Sequence, residues 1–213
     1  ALGIPMVIVA GYRANEVRAH LDRLAPRTPL KVVVNERYEL GSVVSLATGL
    51  ASMTGGLLLL DGDVFFHPEL LERTATGSSP NALLIDIGSE FTGEEYMAGV
   101  DGGRVMALRR ARIDGHEASG EWVGFARLAE PAANRLRGAV DRQIAAGDTA
   151  GGYEDSLASI LPDEPFRAVG TGGLPWVEID FPGDVERAGK IAGEIAAEIA
   201  GSFGTPAARG ATP

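Results

Sequence analysis

The chain has 213 residues, 45% hydrophobic and 23% charged, with a formal net charge of −10. That is enough apolar chain for one globular domain with a real core. The acidic balance excludes a nucleic-acid backbone as main partner, because neutralising phosphates needs a basic face, yet it admits a nucleotide, which a metal ion can bridge to carboxylates. The absence of cysteine removes disulfides, thiolate nucleophiles and cysteine metal sites. It also fits a reducing compartment, so a cytoplasmic location is expected. No apolar run approaches ~18 residues, and no membrane span is expected.

In chain order, IPMVIVA (residues 4–10) is a short apolar run with β-branched residues and predicts a buried strand. A helix follows, with Asn15 as its expected N-cap and Val17, Leu21 and Leu24 on one face. LKVVVN (30–35) predicts a second strand, and residues 42–53 a helix presenting Val43, Leu46 and Leu50. Gly55 and Gly56 break it before a third strand at 57–60, and a helix spans 68–75. Apolar strands alternating with amphipathic helices predict a parallel sheet covered on both faces. The middle differs. A strand at 82–88 precedes EYMAGV and RVMALRR, which flank Asp101-Gly102-Gly103, a hairpin signal. A strand at 120–128 and helices at 131–146 and 153–161 follow, then FRAVG and LPWVEIDF as strands and a last helix at 185–200. The expected fold is α/β, a Rossmann-like three-layer sandwich with a mostly parallel sheet and a small mixed β insertion lobe. Residues 1–200 form the domain, and the Gly/Ala/Pro-rich tail, 201–213, is expected to be disordered.

The stretch LLLLDGDVFFHPELL carries the chemistry. Ligands of open parallel sheets bind outside the carboxyl ends of the strands. Asp61 and Asp63 sit at such an end, and residues two apart on extended chain point the same way. Two carboxylates near one point suit a hard cation such as Mg²⁺ shared with phosphates. The plainer reading is a strand-end turn whose Asp63 caps the next helix. A second pair, Glu178 and Asp180, lies two apart in PWVEIDFPGD. Carboxylates in an apolar β segment are costly without a partner. A cation shared with Asp63 is one partner, and an arginine is the other.

GYRANEV, NERYELGSVVSL, LLLLDGDVFFHPELLER, GEWVGFARL, GYEDSL and LPWVEIDFPGDVERA occur in this order. Over about residues 1–195 the chain resembles the nucleotidyltransferases that act on sugar phosphates and alcohol phosphates. It is most similar to the branch of CTP:phosphocholine, phosphonate and inositol-phosphate cytidylyltransferases. The resemblance implies Mg²⁺-dependent transfer from an NTP, CTP favoured, to a small phosphorylated or phosphonate alcohol or amine, with release of pyrophosphate. It implies Asp63 and Asp180 as catalytic metal holders, with Glu178 the other candidate ligand in that strand. Asn35, Ser45 and Asp61 are the expected nucleotide-binding residues, with loop hydrogen bonding and helix packing as the plainer reading of the first two. Glu121, Tyr153, Glu154 and Trp176 are the expected acceptor-binding residues: Glu121 for an acceptor hydroxyl or amine, and Glu154 and Asp155 beside Tyr153, with Trp176, as an acidic aromatic pocket for a cationic head group. Their plainer reading is helix capping and core packing.

One element of the family pattern is absent. Family members open with a strand and a loop of the kind L-A-A-G-x-G-x-R, whose backbone N–H groups cradle the triphosphate. This sequence begins where the family's second strand begins, so an N-terminally truncated copy is expected, short by roughly 30 residues, one strand–loop–helix unit. A non-catalytic binding module and a D-x-D glycosyltransferase are the alternatives. A haloacid-dehalogenase-like phosphatase fits poorly, because Phe65 occupies the fifth position of its motif and only Lys31 and Lys190 are available.

Overall fold

The structure is a computed structural model that describes residues 3–26 and 28–202, without the side chains of 199–202. Among the described residues ten strands and six α-helices follow one another as β1 (Met6–Ala10), α1 (Ala14–Leu24), β2 (Leu30–Val34), α2 (Ser42–Leu50), β3 (Leu57–Leu60), β4 (Val64–Phe66), α3 (Pro68–Thr76), β5 (Ala82–Ile87), β6 (Met97–Asp101), β7 (Arg104–Arg109), β8 (Ala118–Leu128), α4 (Glu130–Ala145), α5 (Tyr153–Ile160), β9 (Phe166–Gly170), β10 (Trp176–Glu178) and α6 (Pro182–Ser202). Of the expected disordered tail, residues 201 and 202 continue α6, and the rest lies outside the described residues.

The sheet is mixed, which corrects the expectation of a mostly parallel one. Six strands run in the order β3-β8-β5-β9-β7-β6, and β6 also pairs with β8, so the sheet closes back on itself. Within it only β5 and β9 run parallel, among the described residues. The cause is β8. Its 11 residues run antiparallel to β3, β5 and β6 alike. The β6–β7 hairpin therefore joins the main sheet, through β8 and β9, rather than forming a separate lobe. β1 and β2 pair in parallel as a sheet of their own, and β4 pairs antiparallel with β10.

Three layers result. On one face, α2, α4 and α5 pack Leu46, Leu136 and Leu157 against Leu83, Ile85 and Leu128. On the other, Leu70 of α3 packs with Leu84, Val123 and Phe125, and the β4–β10 ribbon adds Val64, Phe66 and Trp176. The ring of Phe66 meets that of Phe125 edge-on at 4.7 Å, which fastens the ribbon to the sheet. α1 starts one residue ahead of Asn15, the expected cap; Arg13 holds the N-cap position in the left-handed region, φ 52°. α3 starts on a side-chain cap, since His67 Nδ1 accepts from Glu69 N–H at 3.3 Å, with Pro68 in the first turn.

Candidate active site

At the end of β3 the chain turns, and the two aspartates part. β3 stops at Leu60, so the extended geometry that would aim Asp61 and Asp63 alike is lost in the turn at 62–63. Asp61 folds inward. Its backbone N–H donates to the Gly124 carbonyl at 3.1 Å, and its carboxylate accepts from the Tyr153 hydroxyl at 2.5 Å. Burial raises Asp61 to about 7; the Tyr153 hydrogen bond opposes that, and the charges of Glu154, Asp63 and Glu178 add to it. Asp63 stays exposed and faces the second acidic pair. One carboxylate oxygen from each of Asp63, Glu178 and Asp180 lies within 4.8 Å of the others. The β4–β10 ribbon causes this: Val64 registers with Glu178, and the Ile179 N–H donates to the Asp63 carbonyl at 2.9 Å. The Asp184 carboxylate fixes the next residues by accepting from the N–H groups of Asp180 and Phe181, at 3.1 and 2.8 Å.

These three acids fit a divalent cation. They are hard oxygen donors at chelating separation, and none of them has an ion-pair partner among the described residues. Partial burial raises Glu178 to about 7, helped by the charges of Asp180 and Asp63, and Asp180 is raised for like reasons. Both directions describe carboxylates short of positive charge. Asp180 and Glu178, alternatives in the sequence, come to the same point.

The cluster opens on a cleft of about 1120 Å³, whose wall includes Asp61, Asp86, Arg110, Glu121, Glu154 and Trp176. Glu121 is raised to about 7, by burial first and then by Glu95, Glu178 and Asp86. Glu154 is raised mainly by burial, and its Oε2 is enclosed with no hydrogen-bond partner. The cleft thus gathers three of the four expected acceptor residues. The fourth, Tyr153, is a correction: it is 5% exposed, its ring packs on Trp122, and its hydroxyl is spent on Asp61. Asn35 and Ser45, expected at the nucleotide, hydrogen-bond each other at 3.0 Å, and Asn35 Oδ1 also accepts from Arg37 N–H. Asn35 is 4% exposed, so its amide is occupied within the fold rather than offered to the cleft. Asp61 is likewise turned to Tyr153, although it lines the cleft wall.

Asp86 was missed. It stands in ALLIDIG, directly across from Glu121. Its carboxylate accepts from Thr171 Oγ1 at 2.5 Å and from Trp176 Nε1 at 3.2 Å, which sets the indole at the cleft. The signal was available, because a carboxylate in an apolar strand is as costly there as at Glu178. Gly124 has φ +84°, and a Cβ there would collide with the Asp61 carboxylate, so only glycine lets Asp61 approach the strand this closely.

No protein-family model and no curated protein matches this chain. Solved structures do. The inositol-1-phosphate CTP transferase from T. maritima superposes with a TM-score of 0.66 at 19% identity, covering 90% of this chain and 76% of that one. The CTP:phosphocholine cytidylyltransferase from Streptococcus pneumoniae gives 0.65 at 16% identity, covering 88% and 78%. HddC from Yersinia pseudotuberculosis gives 0.59 at 13%, covering 89% and 79%. The chain has the mixed α/β fold of these proteins. Among its described residues no helix is long and apolar enough to cross a membrane.

Proposed function

We propose that this chain is a nucleotidyltransferase that moves a nucleotidyl group, cytidylyl by preference, from an NTP to a small phosphorylated or phosphonate acceptor. An acceptor oxygen bonds to the α-phosphorus, the bond from that phosphorus to the bridging oxygen breaks, and pyrophosphate leaves. The observation that carries the reading is the meeting of Asp63, Glu178 and Asp180 beside the cleft. The shared fold supports it. These three residues would hold Mg²⁺, which when bound supplies charge neutralisation for the phosphates. The remaining groups bind and orient. Arg110 lines the same cleft and is suited to an acceptor or leaving phosphate. Glu121, Glu154 and Trp176 favour an acceptor with a cationic head group, since carboxylates beside an indole face suit an ammonium.

The reading keeps a cytoplasmic site of action, which the cysteine-free sequence supports.

The test is pyrophosphate release by the protein, with Mg²⁺, each of the four NTPs, and phosphocholine or inositol phosphate as acceptor. Release with CTP is expected, and Asp63→Ala should lower it by at least about a thousandfold, as befits loss of electrostatic stabilisation at the reacting phosphate. A glycosyltransferase would consume a nucleotide sugar and release no pyrophosphate. Undiminished release by Asp63→Ala would refute the metal assignment.

A further inference from the structure

We propose that Tyr153 is a positioning residue: through Asp61 its hydroxyl sets the stance of Asp63 and so the affinity of the acidic cluster for a divalent cation. The proposal rests on the metal reading given above.

The turn that presents Asp63 has few restraints. A side chain at Gly62 would meet nothing within 4 Å. The Asp63 carboxylate makes no hydrogen bond among the described residues, and its backbone is held on the far side by Ile179. On the near side the turn is fastened at Asp61, by one backbone bond to Gly124 and one side-chain bond to Tyr153. Small errors in ligand placement matter at such sites, and outer partners of metal ligands carry tenfold to hundredfold effects on affinity.

Tyr153 is built as a strut. It lies 92 residues away in sequence, in the first turn of α5. Its backbone N–H donates to Ser42 Oγ at 3.2 Å, and its ring stands edge-on to Trp122, 5.8 Å between centroids. The phenol therefore comes from packed core and not from a mobile rim. The sheet makes room for the carboxylate it holds. Between Trp122, which registers with Ile85, and Ala126, which registers with Leu83, β8 bulges, and Gly124 sits in that bulge with positive φ. Any Cβ there would displace the Asp61 carboxylate. Bulge, glycine, aspartate and tyrosine form one device, and it ends two residues short of Asp63. The same turn of α5 carries Glu154 into the cleft, so the strut ties the acceptor wall to the metal ligands.

The experiment is Mn²⁺ binding to the free 213-residue protein, read by electron paramagnetic resonance, beside thermal melting in chelator. Tyr153→Phe removes the hydroxyl and keeps the ring. We expect its Mn²⁺ dissociation constant to rise about tenfold or more. Gly124→Ala displaces the same carboxylate and should do likewise, and the double variant should be no worse than the poorer single one, as in a coupled pair. Leu157→Val loosens the same helix without touching the hydroxyl; it should lower the melting temperature and leave Mn²⁺ affinity unchanged. Tyr153→Phe that melts earlier yet binds Mn²⁺ within twofold of wild type overturns the proposal and leaves the metal reading standing. Wild-type protein that binds no Mn²⁺ overturns both.

Discussion

Without a cation, the cluster of Asp63, Glu178 and Asp180 should cost the fold stability, and Asp63→Asn measures that cost. Two unit charges within 4.8 Å repel by about 0.9 kcal/mol or more in water. At pH 8, where Glu178, raised to about 7, is mostly ionised, Asp63 faces two such partners, so its charge costs about 2 kcal/mol unscreened and about 1 kcal/mol at physiological ionic strength. The asparagine keeps the shape and removes the charge. For a chain of this size about 1 kcal/mol moves the melting temperature by about 2–4 °C. In chelator, Asp63→Asn is therefore expected to melt about 2–4 °C above wild type. Divalent metal reverses the order. A cation at a hundred times its dissociation constant stabilises the native state by about 2.7 kcal/mol. Wild type gains that and the variant, short of a ligand, gains far less. The assay is scanning calorimetry of both proteins in EDTA and in a Mg²⁺ series, each at low and at high salt. A variant that melts at or below wild type in EDTA, or that rises with Mg²⁺ as wild type does, would refute the reasoning.

Glu121 gives a prediction against pH. Its protonated form contributes stability in full below its unfolded value of 4.5, and that contribution is lost as pH rises through about 7. Glu121→Gln mimics the protonated form. It should leave stability unchanged near pH 4.5 and raise it by about 1–2 kcal/mol at pH 8, after discounting for partial exposure. Urea unfolding at the two pH values checks this, and an equal gain at both would exclude the charge as its source. Asn81 is 3% exposed and joins two connections at once: its Oδ1 accepts from Ala129 N–H at 2.8 Å and its Nδ2 donates to the Pro165 carbonyl at 3.3 Å. Asn81→Ala should cost about 2–3 kcal/mol, because both partners are left short. The same urea series reads it, and a loss under about 0.5 kcal/mol would show that water replaces the amide.

Elements were legible where a period was long or a turn residue explicit. The β6–β7 hairpin followed from Asp101-Gly102-Gly103, and α4 from a sustained amphipathic run. Strand direction was not legible, because an apolar run such as Leu57–Leu60 reads alike beside a parallel or an antiparallel neighbour. The acidic cluster was legible as two pairs of acids two residues apart, three of which meet. The separation of Asp61 from Asp63 was not, since it depends on where β3 stops and on a phenol 92 residues away. Tyr153 failed as a cleft residue for the same reason: an aromatic at a helix start carries no mark of which way its hydroxyl points. β4 was overlooked because three residues of strand, Val64–Phe66, exist only through their pairing with Trp176–Glu178.

The β1–β2 pair has a consequence for how the molecule opens. Its ladder is not continuous with the six-stranded sheet, α1 buries no residue, and within β1 only Ala10 is buried. The interior strands β5 and β8, by contrast, contain Leu83, Leu84, Ile85 and Phe125, all fully enclosed. Regions with few buried apolar contacts open by local fluctuation at a fraction of the global free energy. The amide hydrogens of β1 and β2 should therefore trade with solvent well before those of β5 and β8. The protein unfastens from the β1–α1–β2 arm, while the ribbon holding Asp63 and Glu178 stays clamped on the sheet by Phe66 and Phe125.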